Sequence, residues 1–208
     1  MDYLQQLVER FPFFENIRND INFAYEAIID SFSNGGKLLI AGNGGSAADA
    51  EHIVGELMKG FVKKRKLPEA FIKKIETHDP EIATYLVHHL QPGLPAIALS
   101  GHASLNTACI NDIDGNITFS EQIYGYGKPG DVFIGISTSG NSKNILYAAA
   151  TAKAKGLKTI ALTGCDGGSL KTISDISIIV PEKETYKIQE LHLPVYHCLC
   201  LMIEEYFF

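Results

Sequence analysis

The sequence predicts an α/β fold, a three-layer sandwich in which a five-stranded parallel sheet is flanked by helices and preceded by further N-terminal helices. Three observations carry this. Short apolar runs recur at 37–41 (KLLIA), 95–100 (PAIALS), 131–136 (DVFIGI), 158–163 (KTIALT) and 176–180 (ISIIV), and none alternates with polar residues as a half-solvated strand would. Helical spacing fills the segments between them, which is the rhythm of βαβ units. Glycine- and hydroxyl-rich turns follow the first and third runs, at the strand ends where such sheets bind ligands.

The first 33 residues read as helix interrupted near Pro12, with Ile17, Ile21, Phe23, Ala24, Ile28 and Phe32 at roughly helical spacing, and Asn34-Gly35-Gly36 stops the pattern. After the first strand, Gly42-Asn43-Gly44-Gly45-Ser46 opens a helix to about Phe61. Helix is expected near 103–111, after the second strand. The third strand leads through Ser137-Thr138-Ser139-Gly140-Asn141-Ser142 into a helix to about Lys155. The fourth leads through Gly164 and Asp166-Gly167-Gly168 to a short helix. The fifth precedes a last helix, about 185–207, with Pro194 inside it as a possible kink. Residues 63–93 break the rhythm as a helical insertion. Their opening run, Lys63-Lys64-Arg65-Lys66, reads as a solvated face, with a lid or an anion-attracting rim as the alternative.

A chain of 208 residues suits a single domain, here 1–208 with an N-terminal helical segment 1–34 and the insertion 63–93. The net charge of −6 offers no basic surplus for nonspecific nucleic-acid binding. No apolar run approaches the ~20 residues that span a bilayer, and MDYLQQLVERF lacks a signal-peptide core. Cys109, Cys165, Cys198 and Cys200 have no zinc or disulfide spacing and read as buried free thiols of a cytoplasmic protein.

The segment 137–142 is the most informative in the chain. It places four hydroxyls in six residues between a buried strand and a helix start, where unpaired N–H groups and the positive dipole end suit a phosphate. An ordinary serine N-cap needs only one hydroxyl. Neither G-x-x-x-x-G-K-[ST] nor G-x-G-x-x-G occurs in the strand–helix turns, so a single phosphoester fits better than a nucleotide. On the helix after the first strand, His52 and Glu56 stand at i and i+4 and share a face. The last helix carries Gln189, His192 and His197.

GNGGS–x5–H–x3–E, GISTSGNS before a helix, ET-x2-IQE–x6–H and the strand rhythm together resemble the sugar isomerase (SIS) domain, a flavodoxin-like fold, and within it the phosphoheptose isomerase branch. The resemblance implies that Asn43, Gly44, Gly45, Ser46, Ser137, Thr138, Ser139 and Ser142 hold a sugar phosphate, with Glu56, Gln189, Asn111 and Asp112 also contacting it. It implies Glu56 and His197 as the catalytic proton-transfer pair, and His52, Glu56, Gln189 and His197 as ligands of a Zn2+ ion. It implies a homotetramer. The expected reaction converts sedoheptulose 7-phosphate to D-glycero-D-manno-heptose 7-phosphate through an enediol, with Glu56 as carbon base and His197 serving the oxygens.

Two departures from the family, Ala47-Ala48 after GNGGS and the insertion 63–93, bear on which sugar is taken. The alternatives are an isomerase of another sugar phosphate, a phosphosugar-sensing module and a noncatalytic protein such as the DnaA-binding relative. That relative lacks an acid and a histidine at the positions of Glu56 and His197. Eight residues separate Gln189 from His197, ~12 Å along a straight helix. The expectation is therefore that subunits share sites, one subunit's Glu56 meeting another's His197.

Overall fold

The computed structural model describes residues 2–208. Strands β1 (Leu38–Ala41), β2 (Ala96–Ala98), β3 (Val132–Ser137), β4 (Lys158–Thr163) and β5 (Ile176–Ile179) form one parallel sheet in the order β2-β1-β3-β4-β5. Register pairs Leu39 with Ile97 on one side and with Phe133 on the other. Strand order reverses between β1 and β3, so the loops leaving them diverge and open a crevice at the carboxyl edge.

Alternation along each strand divides the core. Leu38, Ile40, Ile134, Ile136, Leu162 and Ile178 meet α1 (Tyr3–Arg10), α2 (Arg18–Ser33), α3 (Gly45–Met58) and α10 (Thr185–Phe207). On the other face, Leu39, Ala41, Phe133 and Ala161 meet α7 (Thr118–Tyr126), α8 (Lys143–Ala154) and α9 (Gly168–Ile173). The central strands β1, β3 and β4 are buried on both sides, which is why their sequences are apolar without alternation. The N-terminal break at Pro12 is a 3-10 turn over Pro12–Ile17, where the ring fits at the first helical position.

Several expectations need correction. The second strand ends at Ala98, because Leu99–Gly101 turns into a 3-10 helix whose carbonyls at Leu99 and Ser100 accept from the Asn106 amide. Helix α6 (Ala103–Asp112) then follows as anticipated. Helix α7 has no counterpart among the elements expected from sequence. Phe119 and Ile123 are its only large buried apolar side chains, too few to mark a period. Pro194 sits inside a continuous α10. Of the cysteines, Cys165 is exposed in the turn after β4, while Cys109, Cys198 and Cys200 are buried. Burial pushes the Cys198 thiol up to about 12, which keeps it unreactive.

Helix α3 stops at Met58, three residues short of Phe61, and the cause is Glu204 on α10. Its carboxylate accepts the backbone N–H groups of Phe61, Val62 and Lys63 at 2.8, 2.8 and 3.1 Å. That draws the chain out of the helix. Arg65 completes the knot. Its Nε lies 3.0 Å from Glu204 Oε1, and its guanidinium donates to the carbonyls of Leu57, Pro92 and Glu56. Both side chains are essentially sealed from solvent, at 0% and 1% exposure. The basic run is thus not a uniform solvated face: Lys64 and Lys66 are exposed, Lys63 pairs with Glu205, and Arg65 is interior. Because Arg65 holds carbonyls of both α3 and Pro92, the 63–93 segment leaves and returns beside the end of α3. It carries α4 (Glu69–His78) and α5 (Pro80–His89).

Candidate active site

The β1 and β3 loops are joined across the crevice. Asn43 and Asn144 exchange side-chain amide hydrogen bonds at 2.9 and 2.8 Å. Beside them lies a cavity of about 260 Å³ lined by Asn43, Gly44, Ala47, Ser100, Asn106 and Asn144, among others. Asn144 was not expected from sequence. It sits at the second position of α8, and only its partner in the β1 loop reveals it.

The hydroxyl segment is not spent on capping. Ser142, at the N-cap of α8, makes no side-chain capping bond and instead meets Ser137 Oγ at 3.1 Å. Ser139 Oγ accepts the Asn141 N–H at 3.2 Å, leaving its own proton to donate. Ser139 and Asn141 are exposed, Thr138 and Ser142 half-buried, Ser137 buried. The turn is braced from β4 by Gly164 N–H to Thr138 O, and by Ser169 N–H to Asn141 Oδ1. Gly140 is required: at φ +64 a Cβ would fall 2.0 Å from the Gly167 carbonyl. The result is a rigid, donor-rich loop at a helix start. Ser139→Ala is expected to raise KM for a sugar phosphate about tenfold, the worth of one hydrogen bond to a charged group, without loss of fold. Steady-state kinetics that match the parent's would remove this loop from the phosphate site.

Helices α3 and α10 run side by side with a constant offset, Gly45 by Gln189 and His52 by Tyr196. Gln189 lies so close over Gly45 that a Cβ there would meet its Nε2 at 2.5 Å. Seven residues further along α3, His52 Nε2 is 3.3 Å from Glu56 Oε1 and 3.5 Å from His197 Nε2. Glu56 is also paired with Lys59. Its side chain is 13% exposed, against 41% for His52. Burial lowers the pKa of His197, His52 lowers it further, and Glu56 opposes both, a balance that favours the neutral ring.

Behind His52 stand two residues that sequence reasoning does not single out. The Tyr196 hydroxyl is 3.0 Å from His52 Nδ1 and 3.3 Å from Asp49 Oδ1. Burial raises the pKa of Tyr196, as does Asp49 beside it. Burial also raises Asp49, opposed by Tyr196 and His52. Asp49 is legible in retrospect, at three residues before His52 on the same helix face. Tyr196 carries no such signal. His192, one turn earlier on α10, is fully buried facing the Thr163 backbone, with neither ring nitrogen hydrogen-bonded, and burial pushes it down to about 4.

Other predicted site residues lie apart. Asn111 and Asp112 are exposed at the end of α6 and bonded to each other at 2.8 Å. Ser46 is buried behind the β1 loop. Gln189, two turns from His52, does not join His52, Glu56 and His197 as a fourth ligand within one chain. Gln189 thus lies apart from His197, as the helix spacing predicts, but an exchange of Glu56 and His197 between subunits is not needed to bring those two to His52. One chain brings Glu56, His52 and His197 together. Co-refolded mixtures of Glu56→Gln and His197→Asn chains are therefore expected to stay as inactive as the parents. Turnover regained in mixed oligomers would place the pair across an interface.

Comparison with known proteins accords with this geometry. The family model described as "SIS domain" matches residues 2–87 and 80–164, its two segments meeting inside the 63–93 excursion. The chain is 40% identical over 207 residues to the phosphoheptose isomerase of a Nitratiruptor species, covering 98% of this chain and 97% of that one. It is 44% identical over 180 residues to the phosphoheptose isomerase of Trichlorobacter lovleyi, covering 86% and 79%. The solved phosphoheptose isomerase of Neisseria gonorrhoeae superposes with a TM-score of 0.74 at 32% identity, over 97% of this chain and 91% of that one. The chain belongs to the SIS domain family and, within it, to the phosphoheptose isomerases.

Proposed function

We propose that this enzyme is an aldose–ketose isomerase converting sedoheptulose 7-phosphate to D-glycero-D-manno-heptose 7-phosphate. The observation that carries the chemistry is the meeting of Glu56, His52 and His197 in one chain at 3.3 and 3.5 Å. Glu56 removes the proton from the carbon beside the carbonyl and returns it to the neighbouring carbon. His197, its neutral form favoured by burial, moves the proton between the two oxygens. The Ser137–Ser142 loop, with Asn43, Gly44 and Gly45 nearby, holds the phosphate and so orients the reacting end.

Zn2+ suits part of this donor set. The separations of His52 Nε2 from Glu56 Oε1 and from His197 Nε2 are close to the ~3.3–3.4 Å edge of a tetrahedron with ~2.0–2.1 Å bonds. As the side chains stand, no three His, Cys, Asp or Glu residues among those described close around one point. His52, Glu56 and His197 would hold the ion, with Gln189 of the same chain lying over Gly45 instead. When bound, zinc would polarise the substrate carbonyl.

The proposed assembly is a homotetramer in the cytoplasm. Ile110, Ile113, Tyr124 and Tyr147 are exposed apolar side chains suited to packing between copies. Gly45 and Glu56 stand eleven residues apart on α3, ~16 Å along its axis. Sharing of sites between subunits, on this reading, concerns the phosphate loop and the remaining contacts, with each acid–base pair supplied whole by one chain. The described residues contain no helix long and apolar enough to cross a membrane.

The test is incubation with sedoheptulose 7-phosphate beside five- and six-carbon ketose phosphates, following the aldose by NMR, with and without prior chelation. Turnover of the heptulose phosphate above the others supports the reading, and zinc-restored loss after chelation supports the metal. Turnover of only another sugar phosphate replaces the substrate. Turnover of none favours a noncatalytic binding role.

A further inference from the structure

We propose that Asn144 is a positioning residue for the substrate: it fixes which edge of the Asn43 amide is nitrogen and which is oxygen, so that Asn43 meets a ligand with a set donor and a set acceptor. The inference deepens the isomerase reading and rests on it for the kinetic consequence only.

The backbone under Asn43 is already held. Its carbonyl accepts the Ser46 N–H at 3.0 Å. A Cβ on Gly42 before it would fall 2.2 Å from the Ser46 carbonyl oxygen, and Gly44 after it sits at φ +55. The side chain is exposed, so its rotation and the turning over of its amide are the freedoms left. Asn144 removes both. Asn43 Nδ2 donates to Asn144 Oδ1 at 2.9 Å, and Asn144 Nδ2 donates to Asn43 Oδ1 at 2.8 Å. Such a ring closes equally well with both amides turned over, so the pair alone does not choose. The backbone of α8 does. The Ile145 N–H, shared with the Ser142 carbonyl at 3.0 Å, also donates to Asn144 Oδ1 at 3.0 Å. A nitrogen in that place would set donor against donor. Asn144 therefore keeps its oxygen there, and Asn43 must answer with its nitrogen. Turning over Asn43 alone would oppose oxygen to oxygen and nitrogen to nitrogen.

The consequence falls on the cavity of about 260 Å³ that Asn43 lines with Gly44, Ala47, Ser100 and Asn144. Both lone pairs of Asn144 Oδ1 are occupied, whereas Asn43 keeps one N–H and one oxygen lone pair for a ligand. These stand in fixed places that cannot be exchanged. A sugar hydroxyl can use both, since it accepts and donates, while a phosphate oxygen can take only the N–H. Asn106, the other amide on the cavity wall, has its nitrogen engaged by the Leu99 and Ser100 carbonyls and its oxygen by Gln122. It holds the turn after β2 and leaves the ligand to the Asn43–Asn144 pair.

The test joins diffraction to kinetics. Neutron diffraction from crystals of the parent protein should show deuterons on the Asn43 nitrogen facing the Asn144 oxygen. The opposite order overturns the proposal whether or not any variant folds. Asn144→Ala is expected to fold, because the Ile145 N–H retains the Ser142 carbonyl and alanine suits a helix. In its crystal structure Asn43 should leave its parental position, and an unmoved Asn43 overturns the proposal. KM for the sugar phosphate should rise about tenfold, within the range that coupled neighbours show, with kcat within about twofold and the melting temperature unchanged. Asn43→Ala should raise KM at least as much, and the double variant no further, because Asn144 acts through Asn43. Additive losses would mean that Asn144 acts by another route, and the proposal would be wrong. If the wild-type protein turns over no sugar phosphate, the isomerase reading fails by itself, and diffraction still decides the amide order.

Discussion

Glu56→Gln is expected to lower kcat by about 10²–10⁴-fold, the usual worth of a positioned general base, while KM for the sugar phosphate changes little. The substitution keeps the shape of the side chain and removes only its ability to take a proton. Its structural cost is small. The Lys59 partner is more than half exposed, and such surface pairs contribute about 0–1 kcal/mol. Helix α3 is held instead by Ala50, Ile53 and Leu57 in the core. Loss of turnover with an unchanged circular dichroism spectrum and melting temperature would therefore isolate chemistry from folding. A variant with parental kcat would end the role assigned to Glu56, whichever substrate the enzyme takes.

Glu204→Gln is expected to destabilise the protein by about 3–5 kcal/mol, because it leaves the Arg65 charge buried without its counter-ion. That is a large share of the ~5–15 kcal/mol by which domains are stable, and the urea midpoint should report it. Burial works against the charge of Glu204, but the N–H groups of Val62, Phe61 and Lys63 and the Arg65 guanidinium outweigh it and hold its pKa below the ordinary 4.5. A depressed carboxyl stabilises the fold above its unfolded pKa and loses that contribution as pH falls through its folded value. The gap between variant and parent should accordingly be full at neutral pH and shrink in acid below about 4. Arg65→Lys should fare nearly as badly, since an ammonium cannot reach the carbonyls of Glu56, Leu57 and Pro92 while facing Glu204. An unshifted midpoint in Glu204→Gln would show the pair to be dispensable.

The same knot explains why residues 63–66 mislead a reader of the sequence. Four consecutive basic residues look alike in one dimension. Only the approach of the C-terminal turn of α10 to the end of α3 distinguishes Arg65, by supplying Glu204 from 139 positions away. Once paired, Arg65 also serves as a cap, donating to the last carbonyls of α3, which lack intrahelical partners.

Local physics was enough for much of this protein. Five runs of buried apolar residues specify a parallel sheet because both faces must leave water. Glycines and hydroxyls at 42–46 and 137–142 mark the loops because a backbone that meets an anion needs close approach and free donors. The i, i+4 spacing of His52 and Glu56 by itself puts them on one helix face. Tertiary structure decided the rest, through contacts between segments far apart in the chain. The parallel packing of α10 against α3 brings His197 to His52 and Glu56 in one chain and lays Gln189 over Gly45 instead. It also places Tyr196 between His52 and Asp49, at distances of 3.0 and 3.3 Å across 144 and 147 residues of sequence. Periodicity reports which way a side chain faces on its own helix. Which neighbour it then meets depends on the docking of the two helices on the sheet, and no local spacing encodes that.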